Sequence, residues 1–229
     1  MPAEISVVIP TLQAAADLPD CLAALGEGLS GGLIREVIVS DGGSQDETPG
    51  IAQAAGAVVV IGAASRGGQL RRGCALARGR WLLILHADTV LSPGWARAVA
   101  DHVADPRAGP AHFRLVFRAA GVRPWLVAGW ANQRALLFGL PFGDQGLLVQ
   151  RDDYDRAGGY PDQPLMEDVA LIRALERRVL ALPVRATTSA ERYSRDGWLR
   201  RGARNLWTQA RYFAGADPET LFRSYQRWP

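Results

Sequence analysis

The first half of the chain alternates short β-rich runs with helical patterns, and this alternation constrains the fold more than any other feature. Strands alternating with helices at this spacing predict an α/β domain whose parallel sheet is covered by helices on both faces. At 229 residues, 48% of them hydrophobic, the chain fits one such domain with a sizeable core. The predicted strands are residues 5–9, 36–40, 57–61 and 81–85, and the helical patterns begin at Leu18, near Asp46 or Thr48, and at Gln69.

Polar residues follow every one of these predicted strands. Ligands of open α/β sheets bind beyond the carboxyl ends of the strands, so these residues are candidates for a functional site. We expect Asp41, Arg66 and Asp88 to share one rim of the sheet. The polar segments are Pro10-Thr11 and residues 40–46, 65–68 and 86–89.

Asp88 follows an apolar run and an intervening His-Ala pair. A carboxylate there suits a hard cation that also holds a diphosphate, because such a cation neutralises charge on the leaving group. The alternative for Asp88 is a turn or helix cap before Pro93. Asp41, which precedes two glycines, has the alternative of an Asx turn that closes a βα loop without any ligand.

Two further polar clusters lie in the less regular second half. Gly143, Asp144 and Gln145 precede a predicted strand, Leu147–Gln150. Glu167 and Asp168 open an apolar helical pattern. A carboxylate here is a candidate general base, which must lie within hydrogen-bond reach of the hydroxyl that it deprotonates. Helix capping is the alternative, since the start of a helix favours negative charge.

Composition argues against a nucleic-acid partner. The formal net charge is only +3, and the positive residues, all arginine, are interspersed along the chain.

Cys21 and Cys74 lie far apart without metal-ligand spacing, which predicts two reduced, buried thiols. The longest apolar stretch, residues 125–142, is interrupted by polar residues, and no basic leader precedes the first strand. We therefore expect a cytoplasmic protein.

The C-terminal segment has apolar residues at helical spacing, with arginines on other faces. Two interpretations are open: a helix packed on its own domain with a solvated basic face, or a basic amphipathic helix in peripheral contact with an anionic membrane. The apolar positions are Leu199, Ala203, Leu206, Ala210 and Phe213.

Taken in order, these motifs resemble the family 2 glycosyltransferases of the GT-A fold. The resemblance covers roughly residues 4–190 and consists of four elements. The variants around His86, Gly143 and Glu167 look most like a subgroup named as probable arsenosugar-biosynthesis glycosyltransferases. The matching segments are Val7 to Thr11, Asp41 to Thr48, His86-Ala87-Asp88 and Glu167-Asp168.

The resemblance implies a role for each motif. The nucleobase and ribose would contact Pro10, Thr11 and Asp41, and the rest of the nucleotide would lie along Arg66 and Gly67. Asp88 would bind Mg²⁺ or Mn²⁺ bridging the diphosphate, and Asp168 would be the catalytic base. The acceptor side would comprise Gly143, Asp144, Gln145 and Glu167.

The implied reaction transfers a sugar, with inversion, from a nucleotide-diphosphate donor, most simply a UDP-sugar. The acceptor would be a small-molecule or lipid-linked hydroxyl. His86 departs from the family, since many members have aspartate there. Gln13 and Arg72 also differ from common residues, which leaves the nucleotide open.

We expect a single GT-A domain over residues 1–229, with a mostly parallel sheet, flanking helices and additional C-terminal helices. Its parts would be a nucleotide-binding half (1–92), an acceptor half (93–190) and a C-terminal helical segment (191–229). Two alternatives to a transferase stay open. A nucleotidyltransferase shares this fold type, although the loop after the first strand, residues 11–14, is not Gly-rich. A catalytically silent nucleotide- or partner-binding module is the other.

Overall fold

A computed structural model describes residues 3–227, in which eight strands form one sheet flanked by eleven α-helices. The strands are β1 (Ile5–Thr11), β2 (Ile34–Asp41), β3 (Val58–Ile61), β4 (Trp81–Ile84), β5 (Val90–Leu91), β6 (Ala111–Phe117), β7 (Leu147–Gln150) and β8 (Leu180–Thr188). The helices are α1 (Leu18–Ala24), α2 (Gly26–Ser30), α3 (Thr48–Ala54), α4 (Arg66–Leu76), α5 (Trp95–Val103), α6 (Val122–Phe138), α7 (Arg151–Arg156), α8 (Glu167–Ala174), α9 (Glu191–Asp196), α10 (Trp198–Phe213) and α11 (Pro218–Arg227). A short 3₁₀ turn covers Gly143–Gln145.

The sheet is mixed, with the strand order β3-β2-β1-β4-β7-β6-β8-β5. The four predicted strands pair in parallel, as expected from their helical connections. The second half differs from that pattern: β7 runs antiparallel to both β4 and β6, and β5 runs antiparallel to β8. Only β6 and β8 are parallel there. The prediction of a mostly parallel sheet is confirmed, since four of the seven described strand pairings are parallel, and the antiparallel pairings all involve strands of the second half.

Both faces of the sheet are buried, because alternate side chains of each strand point to opposite faces. On β1, Val7 and Ile9 join one core cluster, while Val8 joins the other. The first cluster includes Trp81 and Trp95, and the second includes residues of α4 and α8. Covering both faces explains why β1 and β4 read as nearly continuous apolar runs.

Strand direction brings the candidate residues to one edge. The carboxyl ends of β1, β2 and β4 lie side by side because these strands are parallel. Since β7 is antiparallel to β4, its first residue Leu147 pairs with Ile84 at the end of β4. The 3₁₀ turn that precedes β7 therefore reaches the same edge as Asp41 and the segment after β4.

The C-terminal segment is helical over its described part, and residues 228–229 of the predicted segment lie outside the described residues. However, α10 does not have the orientation that the first of the two interpretations, a packed helix with a solvated basic face, expects. Two of its arginines are buried, since Arg201 and Arg204 both donate to the Asp196 carboxylate, at 2.6 and 3.0 Å, whereas Arg200 is exposed. The apolar face is exposed, with Leu199 79% accessible and Trp207 57%. The interpretation with a solvated basic face is therefore wrong for Arg201 and Arg204. In the described range no helix combines the length and apolar character needed to cross a bilayer.

Candidate active site

Arg66 connects the two predicted sides of the site. It is the first residue of α4, and its Nε lies 3.7 Å from Oε1 of Glu167 at the start of α8. Partial desolvation of the Arg66 side chain, which is 42% exposed, would lower its pKa, but the charges of Glu167, Asp168 and Asp88 outweigh this and raise the pKa. The structure thus brings Arg66 and Asp88 together, as the rim argument predicts, and adds Glu167 and Asp168, which that argument did not include.

Asp168 is held in place by backbone amides. Its Oδ2 accepts a hydrogen bond from Gly143 N at 2.7 Å, and its Oδ1 accepts one from its own neighbour, Val169 N, at 2.7 Å. The preceding residue, Met166, has φ 64°, a left-handed conformation that is unfavourable for a residue with a side chain. Local strain of this kind clusters at functional sites, where the surrounding structure holds it in place. The loop and helix around Asp168 therefore fix its carboxylate rather than leaving it mobile.

His86 lies beside Gly143 and near Asp168. Burial, and then the charge of Arg66, lower the pKa of His86 to about 3, so its imidazole is neutral near pH 7. A Cβ placed on Gly143 would lie 2.5 Å from His86 Nε2 and 3.5 Å from Asp168 Oδ2. Only glycine therefore fits at position 143 without displacing the loop or the His86 imidazole.

Replacing Gly143 by alanine is expected to lower kcat by tenfold or more, while leaving the affinity for nucleotide within about twofold. The added methyl group must push the loop or His86 away, and a small displacement near a reacting group costs about this much. The measurement is sugar transfer and nucleotide binding by Gly143→Ala. The control is Gly129→Ala, because a Cβ at Gly129 has no atom within 4 Å. Unchanged kcat in Gly143→Ala would show that this contact has no catalytic importance.

Two carboxyl groups of the site have raised pKa values. Burial, then the charges of Asp168 and Asp88, raise the pKa of Asp144 to about 6, although Arg134 opposes the shift. Burial and the charge of Asp168 raise the pKa of Glu167 to about 7. Clustered carboxyl groups that disfavour one another's ionisation mark functional sites more often than surface positions do.

This cluster fits a hard divalent cation. Oδ1 of Asp144 is buried and has no hydrogen-bond partner within residues 3–227. Carboxylate oxygen is the ligand type that Mg²⁺ and Mn²⁺ prefer, and a positive ion would relieve the repulsion among these groups. Among the described side chains, no group of three or more His, Cys, Asp or Glu could hold a metal ion alone. That arrangement is compatible with Mg²⁺-type binding through one or two carboxylates plus substrate phosphates.

Asp41 organises the loop after β2 from within. The fully buried carboxylate accepts four hydrogen bonds, all from residues of this rim: Thr11 Oγ1 at 2.7 Å, Ser44 Oγ at 2.6 Å, Gly43 N at 2.8 Å and Ser44 N at 2.7 Å. Burial alone would raise the pKa of Asp41, yet the hydrogen bonds from Ser44, Thr11 and Gly43 outweigh burial and lower it. The Asx-turn alternative therefore describes Asp41 in this structure. Thr11 is buried with it, whereas Pro10 is partly exposed at the rim.

Three other predicted site residues have packing roles that the sequence does not reveal. Gly67 is buried against the backbone, and a Cβ there would lie 2.1 Å from Pro161 O. The amide of Gln145 is fully buried and accepts from Phe142 N at 3.2 Å, so Gln145 supports the loop from behind rather than facing an acceptor as predicted. Glu167 is also buried, against Arg66, and this differs from the predicted acceptor-facing position.

Two glutamines were not among the predicted site residues. Gln69 Nε2 donates to Thr11 O at 2.7 Å and to Ser40 O at 3.1 Å, so one buried side chain joins the ends of β1 and β2. Gln13 has φ 51°, and its Oε1 accepts from Gln45 N at 3.0 Å and from Asp46 N. The position of Gln69 on the helix that follows the glycines was the available signal, but a buried polar residue on a helix has no distinctive pattern.

Comparison with known sequences shows the family of this chain. The sequence pattern of glycosyl transferase family 2 matches residues 6–154, well over half of the chain. The chain belongs to glycosyl transferase family 2. The PGL/p-HBAD biosynthesis glycosyltransferases of Mycobacterium bovis and Mycobacterium tuberculosis are similar to this chain, with 40% identity over 93 residues. That match spans 38% of this chain and 36% of those relatives, so the chain corresponds to about a third of their length.

Solved structures support the fold. Glucosyl-3-phosphoglycerate synthase from Mycobacterium tuberculosis, in complex with Mn²⁺, UDP and phosphoglyceric acid, has a TM-score of 0.56 and 22% identity over 82% of this chain and 69% of that one. Its complex with Mn²⁺ and UDP-glucose has a TM-score of 0.57 and 22% identity, over 82% and 70% of the two chains. Identity this low shows the fold alone. The family 2 glycosyltransferase therefore has a mixed α/β fold of the GT-A type, as predicted.

Proposed function

We propose that this glycosyltransferase transfers a sugar, with inversion, from a nucleotide-diphosphate donor to an acceptor hydroxyl in a single displacement. The observation that carries the proposal is the convergence of Arg66, Asp88 and Asp168 at one edge of the sheet. Each comes from a different segment, and together they offer a cation for phosphate, a ligand for a metal and a fixed carboxylate.

Asp168 is the proposed base. The acceptor hydroxyl gives its proton to the Asp168 carboxylate while the acceptor oxygen forms a bond to the anomeric carbon. The bond from that carbon to the diphosphate oxygen breaks, and its electron pair leaves with the nucleoside diphosphate. Because the acceptor attacks opposite the leaving group, the anomeric configuration inverts. Gly143 N and Val169 N keep the carboxylate oriented for the proton transfer.

The nucleotide side uses the carboxyl ends of β1 and β2. The loop that Asp41 and Gln13 hold together would contact the base and ribose beside Pro10, and Arg66, at the start of α4, would bind the diphosphate. Arg66 is suited to phosphate because its guanidinium is planar and always charged. Mg²⁺ or Mn²⁺ would be held by Asp88, and it supplies charge neutralisation on the leaving diphosphate.

UDP-sugars are the proposed donors, since the synthase that shares this fold was solved with UDP and UDP-glucose. For the acceptor we propose a small-molecule or lipid-linked hydroxyl. The resemblance to the arsenosugar-labelled subgroup stays a prediction, because the curated relatives carry a different label. A cytoplasmic location also belongs to this proposal, and the two cysteines are both free and buried, as such a location favours.

The proposal is tested by thermal unfolding of the protein with UDP, GDP, CDP or dTDP, each with and without Mn²⁺. We expect UDP with Mn²⁺ to stabilise the fold by about 2.7 kcal/mol at a hundred times its dissociation constant. Without Mn²⁺ the stabilisation should largely disappear, because no cation held by Asp88 would then neutralise the charge of the diphosphate.

The outcomes discriminate among the candidate functions. Stabilisation that requires metal supports a nucleotide-sugar transferase and names the donor class by the nucleotide that works. A catalytically silent binding module would show the same shift, but the unchanged protein would transfer no sugar, so Asp168→Asn would have no activity to remove. No shift with any nucleotide would contradict the donor site and leave Arg66 and Asp88 as structural residues.

A further inference from the structure

Helix α6 exposes an apolar face that its own domain does not cover. Its inner face is formed by small residues, including Ala128 and Ala131, which pack against the core cluster containing Phe117. On the outer face, Trp125 is 71% accessible. A helix that is apolar all round is ordinarily buried in a core or a membrane. The exposed apolar residues of α6 are Val122, Trp125, Leu126, Trp130, Leu136, Leu137 and Phe138.

Helix α10 contacts α6 and presents a second apolar face to the outside. Trp198, at the start of α10, packs against the same core cluster as the inner face of α6. The buried side of α10 is polar, because Arg201 and Arg204 donate hydrogen bonds to the Asp196 carboxylate. Hydrophobic burial therefore does not explain how α10 is oriented. The outward residues of α10 are Leu199, Leu206, Trp207 and Phe213. We call these residues, together with the exposed apolar residues of α6, the α6/α10 surface.

The charge of these helices indicates what covers the surface. Val122–Phe138 and Trp198–Phe213 contain arginines but no aspartate or glutamate. Arg123 and Arg200 are exposed on them. In a twofold dimer the same patch would face itself, and these helices have no acidic residue to offer the arginines of the other copy. An anionic lipid surface offers opposite charge instead, and tryptophan with arginine is the composition of interfacial membrane helices.

The end of α6 adds a junction between apolar and basic groups. A cavity of about 320 Å³ opens there, lined by Leu137, Phe138, Arg177 and Arg178, with one acidic residue, Glu176. Arg178 also donates through Nη2 to the carbonyl of Leu136 in the last turn of α6. Long arginine side chains beside exposed apolar residues can reach the headgroup level while the apolar residues enter the acyl region.

We propose that the α6/α10 surface docks this protein on an anionic lipid bilayer. The surface is joined to the acceptor side of the site: Arg134, on α6, donates to Leu140 O at 3.0 Å and to Gln145 Oε1 at 3.4 Å. Docking would therefore bring the loop around Gly143 close to the membrane, where a lipid-linked acceptor is presented. This consequence rests on the proposed function, whereas membrane docking itself does not.

The test is sedimentation of the full chain with vesicles of phosphatidylcholine alone and of phosphatidylcholine with phosphatidylglycerol. We expect binding to the anionic vesicles that weakens as salt is added, because the arginine contribution is screened. The triple variant Trp125→Ser, Leu137→Ser and Trp207→Ser should partition about tenfold or more weaker, since the apolar area entering the bilayer is lost.

A matched control separates this surface from general hydrophobicity. Leu29 and Leu76 lie on other helices and are also exposed, so Leu29→Ser with Leu76→Ser should bind vesicles as the unchanged protein does. All three altered residues of the test variant are exposed, and circular dichroism with thermal unfolding checks that the fold persists. Equal binding of the triple variant, or no binding to anionic vesicles, overturns the proposal. A concentration-dependent dimer abolished by the triple variant, without vesicle binding, assigns the surface to a second copy instead.

Failure of this inference is distinguishable from failure of the proposed function. Asp168→Asn should bind vesicles as the unchanged protein does, because docking requires no catalysis. Vesicle binding without any nucleotide response would retain docking and contradict the transferase proposal. Metal-dependent nucleotide binding without any vesicle binding would retain the transferase proposal and contradict membrane docking.

Discussion

Asp168→Asn is expected to lower kcat for sugar transfer by about 10²- to 10⁴-fold, the usual contribution of a positioned general base. The amide cannot take a proton from the acceptor hydroxyl near neutral pH. Donor affinity should change little, because Arg66 and Asp88 remain. The measurement is steady-state transfer together with thermal unfolding in the presence of UDP and Mn²⁺.

The substitution also has a structural cost that the experiment must separate from chemistry. Both oxygens of Asp168 accept backbone N–H bonds, from Gly143 and Val169. Asparagine has a single acceptor oxygen, so one of these donors loses its partner, at a cost of about 1–3 kcal/mol. The variant should therefore unfold at a lower temperature while still showing the full additional stabilisation by nucleotide.

Asp144 supplies the matched control, because its carboxyl group belongs to the same cluster. Burial and its acidic neighbours raise the pKa of Asp144 to about 6, which is a suitable value for a base near neutral pH. Asp144→Asn should retain at least a tenth of the activity if Asp168 is the base. If Asp144→Asn abolishes transfer and Asp168→Asn does not, the base is Asp144 and the assignment of Asp168 is wrong.

The first half of the fold was predictable because its physical signals are local. A strand buried on both faces must be a continuous apolar run, and β1 and β4 are such runs. Turn residues after them must be polar at a ligand-binding edge. Boundaries were less accurate: α4 begins at Arg66, three residues before the predicted start, because Ser65 caps it by accepting from Gly68 N at 3.4 Å.

The remaining differences arise from tertiary contacts that periodicity does not contain. The spacing of apolar residues predicts the α10 helix, but it does not indicate that Asp196 binds two of its arginines and that the apolar residues stay exposed. Likewise, a sequence cannot show that the Asp41 carboxylate is saturated by its own loop or that Gln145 is buried. The ends of the predicted strands indicate the rim residues. Their division into ligand-facing and supporting groups depends on tertiary contacts that the sequence pattern does not contain.

Asp88→Ala is expected to remove metal-dependent donor binding with little effect on the fold. Asp88 lies after β4, where its negative charge raises the pKa of Asp144 and of the buried Cys21 thiol. Removing that charge takes away an electrostatic repulsion that acts on Asp144 and on an ionised Cys21, so loss of the Asp88 carboxylate should not unfold the protein. The cation that would neutralise the diphosphate, however, loses its proposed protein ligand.

The expected magnitude follows from mass action. At a UDP concentration that stabilises the unchanged protein by about 2.7 kcal/mol with Mn²⁺, a hundredfold weaker complex gives only about 0.4 kcal/mol. The control is Asp101→Ala on α5, whose side chain is 76% exposed, so the change alters charge without touching the rim. The proposed site requires Asp88→Ala with Mn²⁺ to respond to UDP no more than the unchanged protein does without metal. If Asp88→Ala instead keeps the full Mn²⁺-dependent response, the cation is bound elsewhere, and Asp144, with its unpartnered buried oxygen, becomes the first candidate ligand.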